Sequence, residues 1–278
     1  MDKKLILKRM LHSKFFMTGL LVAVLVVVLS ILSPAIITFD PTANDLIHRL
    51  NPPGIDGHVM GTDQLGRDIF SRLLIGSRYS LLIALIVVAT AAVIGTFLGL
   101  VSGYFGGKID TIIMRISEIF LSIPQLILGI AVMAILGPSI PNLLLVLIVS
   151  SWTQYCKLAR NNVLVQKNMD YVHASQVMGA GKLHIMLTQI FPNITTPLLI
   201  TISQQFGMII MMEASLSFLG LGIQQPTPSW GNMIADGRTF LTTAPWMVIA
   251  PGAALMVTVL AFNFLGDGLR DVFDPKRT

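Results

Sequence analysis

"YVHASQVMGAGKLHIMLTQIFPN", residues 171–193, is a polar, glycine-punctuated stretch closed by a proline and set between two long apolar runs. The company it keeps decides the fold. The chain has 278 residues, 54% of them hydrophobic and only 12% charged. Its mean hydropathy of +0.76 lies outside the range of a soluble domain of this size. The apolar residues gather in six runs, near 15–37, 80–102, 112–136, 141–156, 195–220 and 246–266. Crossing a hydrocarbon core of roughly 30 Å takes about 20 helical residues, and backbone groups in lipid must be satisfied within the segment itself. The expectation is an all-α integral membrane protein with six transmembrane helices and lipid around them. Gln154, Tyr155 and Cys156 make the end of the fourth run polar.

Lys3, Lys4, Lys8, Arg9 and Lys14 precede the first run. That run is too long for a signal-peptide core and no small-x-small cleavage site follows it, so it reads as an uncleaved span. With six spans, 14 of the 19 lysines and arginines fall on one side, and only Arg49, Arg67, Arg72, Arg78 and Arg238 on the other. The positive-inside bias then places both termini in the cytoplasm. Residues 1–14 become a cytoplasmic N-terminus, 15–79 the first span with an outer loop, and 80–278 a core of five spans whose largest cytoplasmic loop is 157–193. The net charge of +5 follows from this topology and gives no reason to expect nucleic acid. Cys156 is the only cysteine, which excludes an internal disulfide and a thiolate metal cluster within the chain.

The quoted stretch is therefore cytoplasmic, and its periodicity is helical. Tyr171, Ala174, Ser175 and Met178 fall on one face, as do Leu183, Met186, Leu187 and Ile190. Two short amphipathic helices are expected, with a sharp turn at Gly179 and Gly181, and Pro192 marking entry into the fifth span. Such a pair either lies on the lipid surface or docks a soluble partner. The small pair Ala174–Ser175 anchors poorly in lipid and allows close approach, which favours docking.

At this point the residues resemble a known motif. "HAS", a glycine four residues on and "IFP" are similar to the Glu-Ala-Ala coupling loop of ABC importer permeases; the matching positions are His173, Ala174, Ser175, Gly179, Ile190 and Pro192. Leu183 extends the set. His173 stands where that pattern has an acidic residue and Ser175 where it has alanine. "GTDQLGRDIFSRLLIGSRYSL" (61–81), "EASLSFLGLGIQQPTPSWGNMI" (213–234) and "FNFLGDGLRDVFDP" (262–275) resemble the dipeptide, oligopeptide and nickel permeases of that superfamily. The resemblance implies the type I importer architecture in a bacterial or archaeal cytoplasmic membrane. It also implies a heterodimer with a second, homologous permease, two cytoplasmic ATPase subunits and an extracytoplasmic solute-binding protein. The cargo implied is a di- or oligopeptide, with nickel or a metal chelate as the alternative.

The remaining residues fit a subunit without a motor. "GAGKL" (179–183) fails the phosphate-loop pattern, because Gln176 occupies the first glycine position and Leu183 follows the lysine; ATP is expected on the partner subunits, with no catalytic group, metal or cofactor in this chain. Gly95, Gly99 and Gly103 form a smooth stripe for helix packing, within the chain or against the second permease. Arg115 and Glu118 can pair one turn apart. Glu213, toward the outer end of the fifth span, has no local partner and is a candidate either for the translocation path together with Met212 or for a helix-packing or gating role; Met208, Met211 and Met212 read as apolar filler rather than ligands for a soft metal. Residues 61–72 are expected to form a short outer helix starting at Thr62 or Asp63, with Arg67, Asp68 and Arg72 either in local ion pairs or in contact with the solute-binding protein. His48 and His58 read as exposed loop residues. An ion-coupled transporter would carry titratable residues or broken helices near the midplane, and no span has a charged pair at its centre; a membrane hydrolase would carry a nucleophile with a base or clustered metal ligands, and no HExxH or GxSxG appears.

Overall fold

A computed structural model describes residues 9–273, so Lys3, Lys4, Lys8, Lys276 and Arg277 lie outside the described residues. The chain runs through α1 (Lys14–Ile36), α2 (Ile69–Phe105), α3 (Gly107–Ser122), α4 (Gln125–Leu136), α5 (Ile140–Gln166), α6 (Asp170–Val177), α7 (Lys182–Phe218), α8 (Trp230–Gly237) and α9 (Trp246–Phe273). Among the described residues there are isolated bridges at Ile55–His58 and Thr62–Asp68 and no strand. Polar caps start the helices where the sequence supplies them. Ser13, Asp68, Ser139 and Ser229 each accept an amide of the first turn.

A helix stands at each of the six apolar runs, but their lengths differ from expectation for physical reasons. By length and composition α1, α2, α7 and α9 can each cross a membrane, and α3 and α4, bent by 86° at the break between them, are long and apolar enough only as a pair, which makes either a broken span or a re-entrant loop. The run 112–136 is thus two helices rather than one. Ile123 precedes Pro124, a position where the proline ring disfavours the helical conformation, and Ile123 is extended at φ −105°, ψ 126°. α5 is long enough at 27 residues but is not apolar enough. Its second half, from Ser150 to Val163, packs largely against α2 and α7, and there Ser150 and Ser151 accept from Gln125 while Arg160 donates to Asp110, contacts that lipid cannot offer.

Corrections also fall on α2 and α7. No separate outer helix forms at 61–68; these residues make a looped corner, and α2 begins at Ile69 and runs straight into the expected second span. The second cytoplasmic helix is not separate either. It passes through a π-helical stretch, Ile185–Ile190, into Phe191–Phe218 as one 37-residue helix, so Pro192 sits inside a helix instead of at its entrance. Proline lacks the N–H that an unbroken ladder would use there, and the widened turn ends just before it.

The glycine stripe explains the tightest packing. α2 lies along α5 so closely that a β-carbon added at Gly95 would come within 2.3 Å of the Trp152 carbonyl, at Gly99 within 2.4 Å of the Cys156 carbonyl, and at Gly103 within 2.8 Å of Val163 Cβ. Gly19 and Gly268 do the same for α1 against α9. Around the α2–α5 seam, Val87, Ala91, Leu143, Leu147, Tyr155, Ile209 and Leu216 form the core. α1 leaves Leu21, Val24, Leu25 and Ile31 exposed on its outer side.

Candidate functional site

The stretch between α5 and α7 folds into a knuckle at one end of the bundle. After α6, the Gly179 amide donates to the Gln176 carbonyl and the Ala180 amide to the Ser175 carbonyl, both at 3.0 Å. This is a Schellman closure with Gly179 left-handed at φ +82°. A β-carbon on Gly179 would meet nothing within 4 Å. Only the backbone conformation calls for glycine here.

The knuckle stands on a rigid base. Val172 is buried with Ala159 and Val163 of α5 and with Ile185, Met186 and Ile190 of α7. The Ser175 hydroxyl donates to the Tyr171 carbonyl (3.0 Å) and accepts from Gln189 Nε2 (2.6 Å). The Tyr171 hydroxyl donates to Gln166 Oε1 (2.6 Å) and accepts from Asn193 Nδ2 (3.2 Å). Side chains from α5, α6 and α7 are thereby locked together. Above this base the surface is apolar and bare: Val177 is 89% exposed, Met178 79% and Leu183 68%. An exposed apolar cluster rimmed by polar groups marks a contact surface.

The structure divides the predicted loop residues into two sets. His173, Ala174, Gly179, Leu183 and Pro192 are exposed, whereas Ser175 and Ile190 point inward and hold the base. The expected apolar faces are off by part of a turn, because Met178 and Leu187 are exposed and Val172 and Ile185 are buried instead. Val177 and Met178 form the crest, and their signal in the sequence is two apolar residues directly before the turn glycine.

The opposite end carries the charges. Arg67 is buried and its Nε lies 2.7 Å from Asp63, with Nη1 donating to Gln225 Oε1 (3.0 Å). Arg72, also buried, is 3.5 Å from Asp63 and donates to the Pro41 carbonyl (3.0 Å). Both reach Asp236 of α8, at 3.5 and 4.0 Å. Two cations thus face two anions, and burial pushes the Asp236 carboxyl above its ordinary range while Arg72 and Arg67 pull against it. Asp68 caps α2 and also meets His58 Nδ1 at 2.9 Å. His58 is buried against Phe39 rather than exposed. Among the described residues no three His, Cys, Asp or Glu side chains gather to hold a metal ion.

Glu213 lies between these features. It is fully buried and, against the expectation of no local partner, accepts from Ser217 Oγ one turn along its own helix at 2.7 Å, as well as from Ser80 Oγ of α2 at 3.0 Å. Met212 is half-buried beside the core. Arg115 and Glu118 pair at 3.1 Å on the exposed face of α3.

Sequence comparisons match residues 95–278 to the family described as "Binding-protein-dependent transport system inner membrane component". The chain belongs to this family. Residues 4–53 match the "N-terminal TM domain of oligopeptide transport permease C". The permease is 44% identical over 264 residues to the probable D,D-dipeptide transport system permease protein DdpC of Escherichia coli, covering 95% of this chain and 88% of that one. It is 43% identical over 263 residues to the dipeptide transport system permease protein DppC of Haemophilus influenzae, covering 93% and 89%. It is also 43% identical over 228 residues to the glutathione transport system permease protein GsiD of Pectobacterium atrosepticum, covering 82% and 76%. It is a multi-pass membrane protein that acts in binding-protein-dependent transport.

Proposed function

We propose that this permease is one of two homologous membrane subunits of an ATP-driven importer of di- or oligopeptides. A solute-binding protein delivers cargo outside, and two ATPase subunits dock inside on the α6–α7 knuckle. Both termini lie in the cytoplasm, all six helical runs span, and ATP is held by the partners alone. The observation that carries the docking assignment is the bare crest of Val177, Met178 and Leu183 on a base tied by Ser175, Tyr171 and Gln189. A rigid base transmits a push instead of absorbing it. The dipeptide cargo rests on the names of the relatives at 43–44% identity.

The test has two arms. Met178→Asp in the assembled importer should release the ATPase subunits during purification while leaving the amount of permease in the membrane unchanged; ATPases retained at wild-type level would overturn the docking site. Cells with and without the gene are then offered labelled dipeptide and nickel. Loss of dipeptide uptake supports the cargo assignment, and loss of nickel uptake alone overturns it.

A further inference from the structure

Glu213 is a carboxyl buried 46 Å or so along α7 from the knuckle, counting about 1.5 Å per residue from Lys182. It contacts no solvent. Its two oxygens are held by hydroxyls from two different places: Ser80 on α2, 133 residues away in sequence, and Ser217 one turn further along α7. Ser229, the cap of α8, adds a third hydroxyl neighbour. Ser217 is itself shared, because its oxygen accepts the Ile223 amide at 3.2 Å. The outer segment 222–232 is pressed onto this point. A β-carbon at Gly222 would fall within 2.6 Å of Ser217 Cα, and one at Gly231 within 2.4 Å of the Ala214 carbonyl. The Trp230 indole closes the other side by donating to the Leu73 carbonyl of α2 at 3.2 Å. From there α8 leads directly to Asp236 and the buried arginines.

We infer that Glu213 is a positioning residue, a latch that ties the outer end of α7 to α2 and to the segment 222–238, so that tilting of α7 at the knuckle moves the outer surface. The inference rests on the permease assignment above and takes up the packing or gating alternative for Glu213 in place of the translocation path. Charge is not what the latch uses. Ser80 and Ser217 donate to it from opposite sides, and a neutral amide of the same shape can accept from one hydroxyl and donate to the other. Removing the group altogether leaves buried hydroxyls without a partner and frees the segment from the helix.

The experiment compares Glu213→Gln, Glu213→Ala and Ser80→Ala in the full importer, reconstituted with its binding protein and a dipeptide. Three quantities are read: ATPase subunits retained, hydrolysis stimulated by loaded binding protein, and hydrogen exchange of residues 222–232. Glu213→Ala should keep the ATPases, lose at least tenfold in stimulation and exchange faster in 222–232. Glu213→Gln should restore both. Ser80→Ala should fall between them, and it decides the matter if Glu213→Ala does not assemble. Wild-type stimulation in Glu213→Ala or in Ser80→Ala would overturn the latch. So would a Gln variant as defective as Ala, which would mean that the charge itself meets cargo or a proton. The exchange readout needs no cargo, so a chain that imports no peptide would refute the proposed function without refuting the latch.

Discussion

Gly179→Arg separates the two faces of the knuckle. In the isolated permease the substitution acts on the backbone alone. A residue with a side chain at φ +82° costs about 1–2 kcal/mol, and the open space around the position lets the guanidinium reach solvent. Against a folded-state margin of about 5–15 kcal/mol, the subunit still inserts and pairs. The penalty changes when an ATPase groove closes over the crest. A charge buried without a partner costs roughly 3–5 kcal/mol, and at about 1.4 kcal/mol per decade that weakens docking by two to four orders of magnitude. The assay is purification through a tag on the second permease, followed by quantification of the ATPase subunits and of hydrolysis stimulated by loaded binding protein. Gly179→Ala is the control, since it carries the backbone strain without the charge. Near-normal permease, no ATPases with Arg and most of them with Ala is the expected result. ATPases bound and normal uptake with Arg would refute the reasoning, and would favour a knuckle that rests on the anionic lipid surface.

Other perturbations probe the scaffold. Gly99→Leu forces a side chain into the Cys156 carbonyl and should lower the melting temperature of the purified complex or abolish accumulation, because overpacking of this kind costs about 1–3 kcal/mol. Asp63→Asn leaves Arg67 and Arg72 buried with Asp236 as their one remaining carboxylate; a loss of roughly 3–5 kcal/mol should appear as much reduced permease in the membrane, and unchanged amounts would show that water reaches the pair. A membrane-impermeant thiol reagent should label cysteine at the exposed Asp56 in intact cells and miss cysteine at Val177 until the membrane is opened. Labelling at Val177 from outside would invert the topology and remove the docking site from the cytoplasm.

The sequence makes legible what rests on local length and composition. Helices occur at all six apolar runs because a lipid-facing segment has to be both helical and apolar, and Gly179 announces its turn because few other residues tolerate that conformation. What rests on distant partners is hidden. Glu213 has only the hydroxyl of Ser217, one turn along its own helix, until α2 brings Ser80 to it, and Arg67 and Arg72 look like a local surface cluster until α8 delivers Asp236. His58 reads as a loop residue until Phe39 covers it. The break at Ile123–Pro124 is visible as a proline but not as an 86° bend, since a proline alone permits anything from a kink to a stop. Continuity between the loop helix and the fifth span is obscured by Pro192, the residue that ordinarily argues for a boundary.

The seam between α2 and α5 has a practical consequence for anyone wishing to watch this permease move. Its one thiol, Cys156, is fully buried on α5 with Gly95 and Gly99 of α2 pressed against its backbone. A maleimide or methanethiosulfonate has no approach to it while the two helices stay together. The natural chain can therefore serve as its own unreactive background, and reporter cysteines for fluorescence, spin-label or crosslinking measurements can be added singly or in pairs without first removing the one already there.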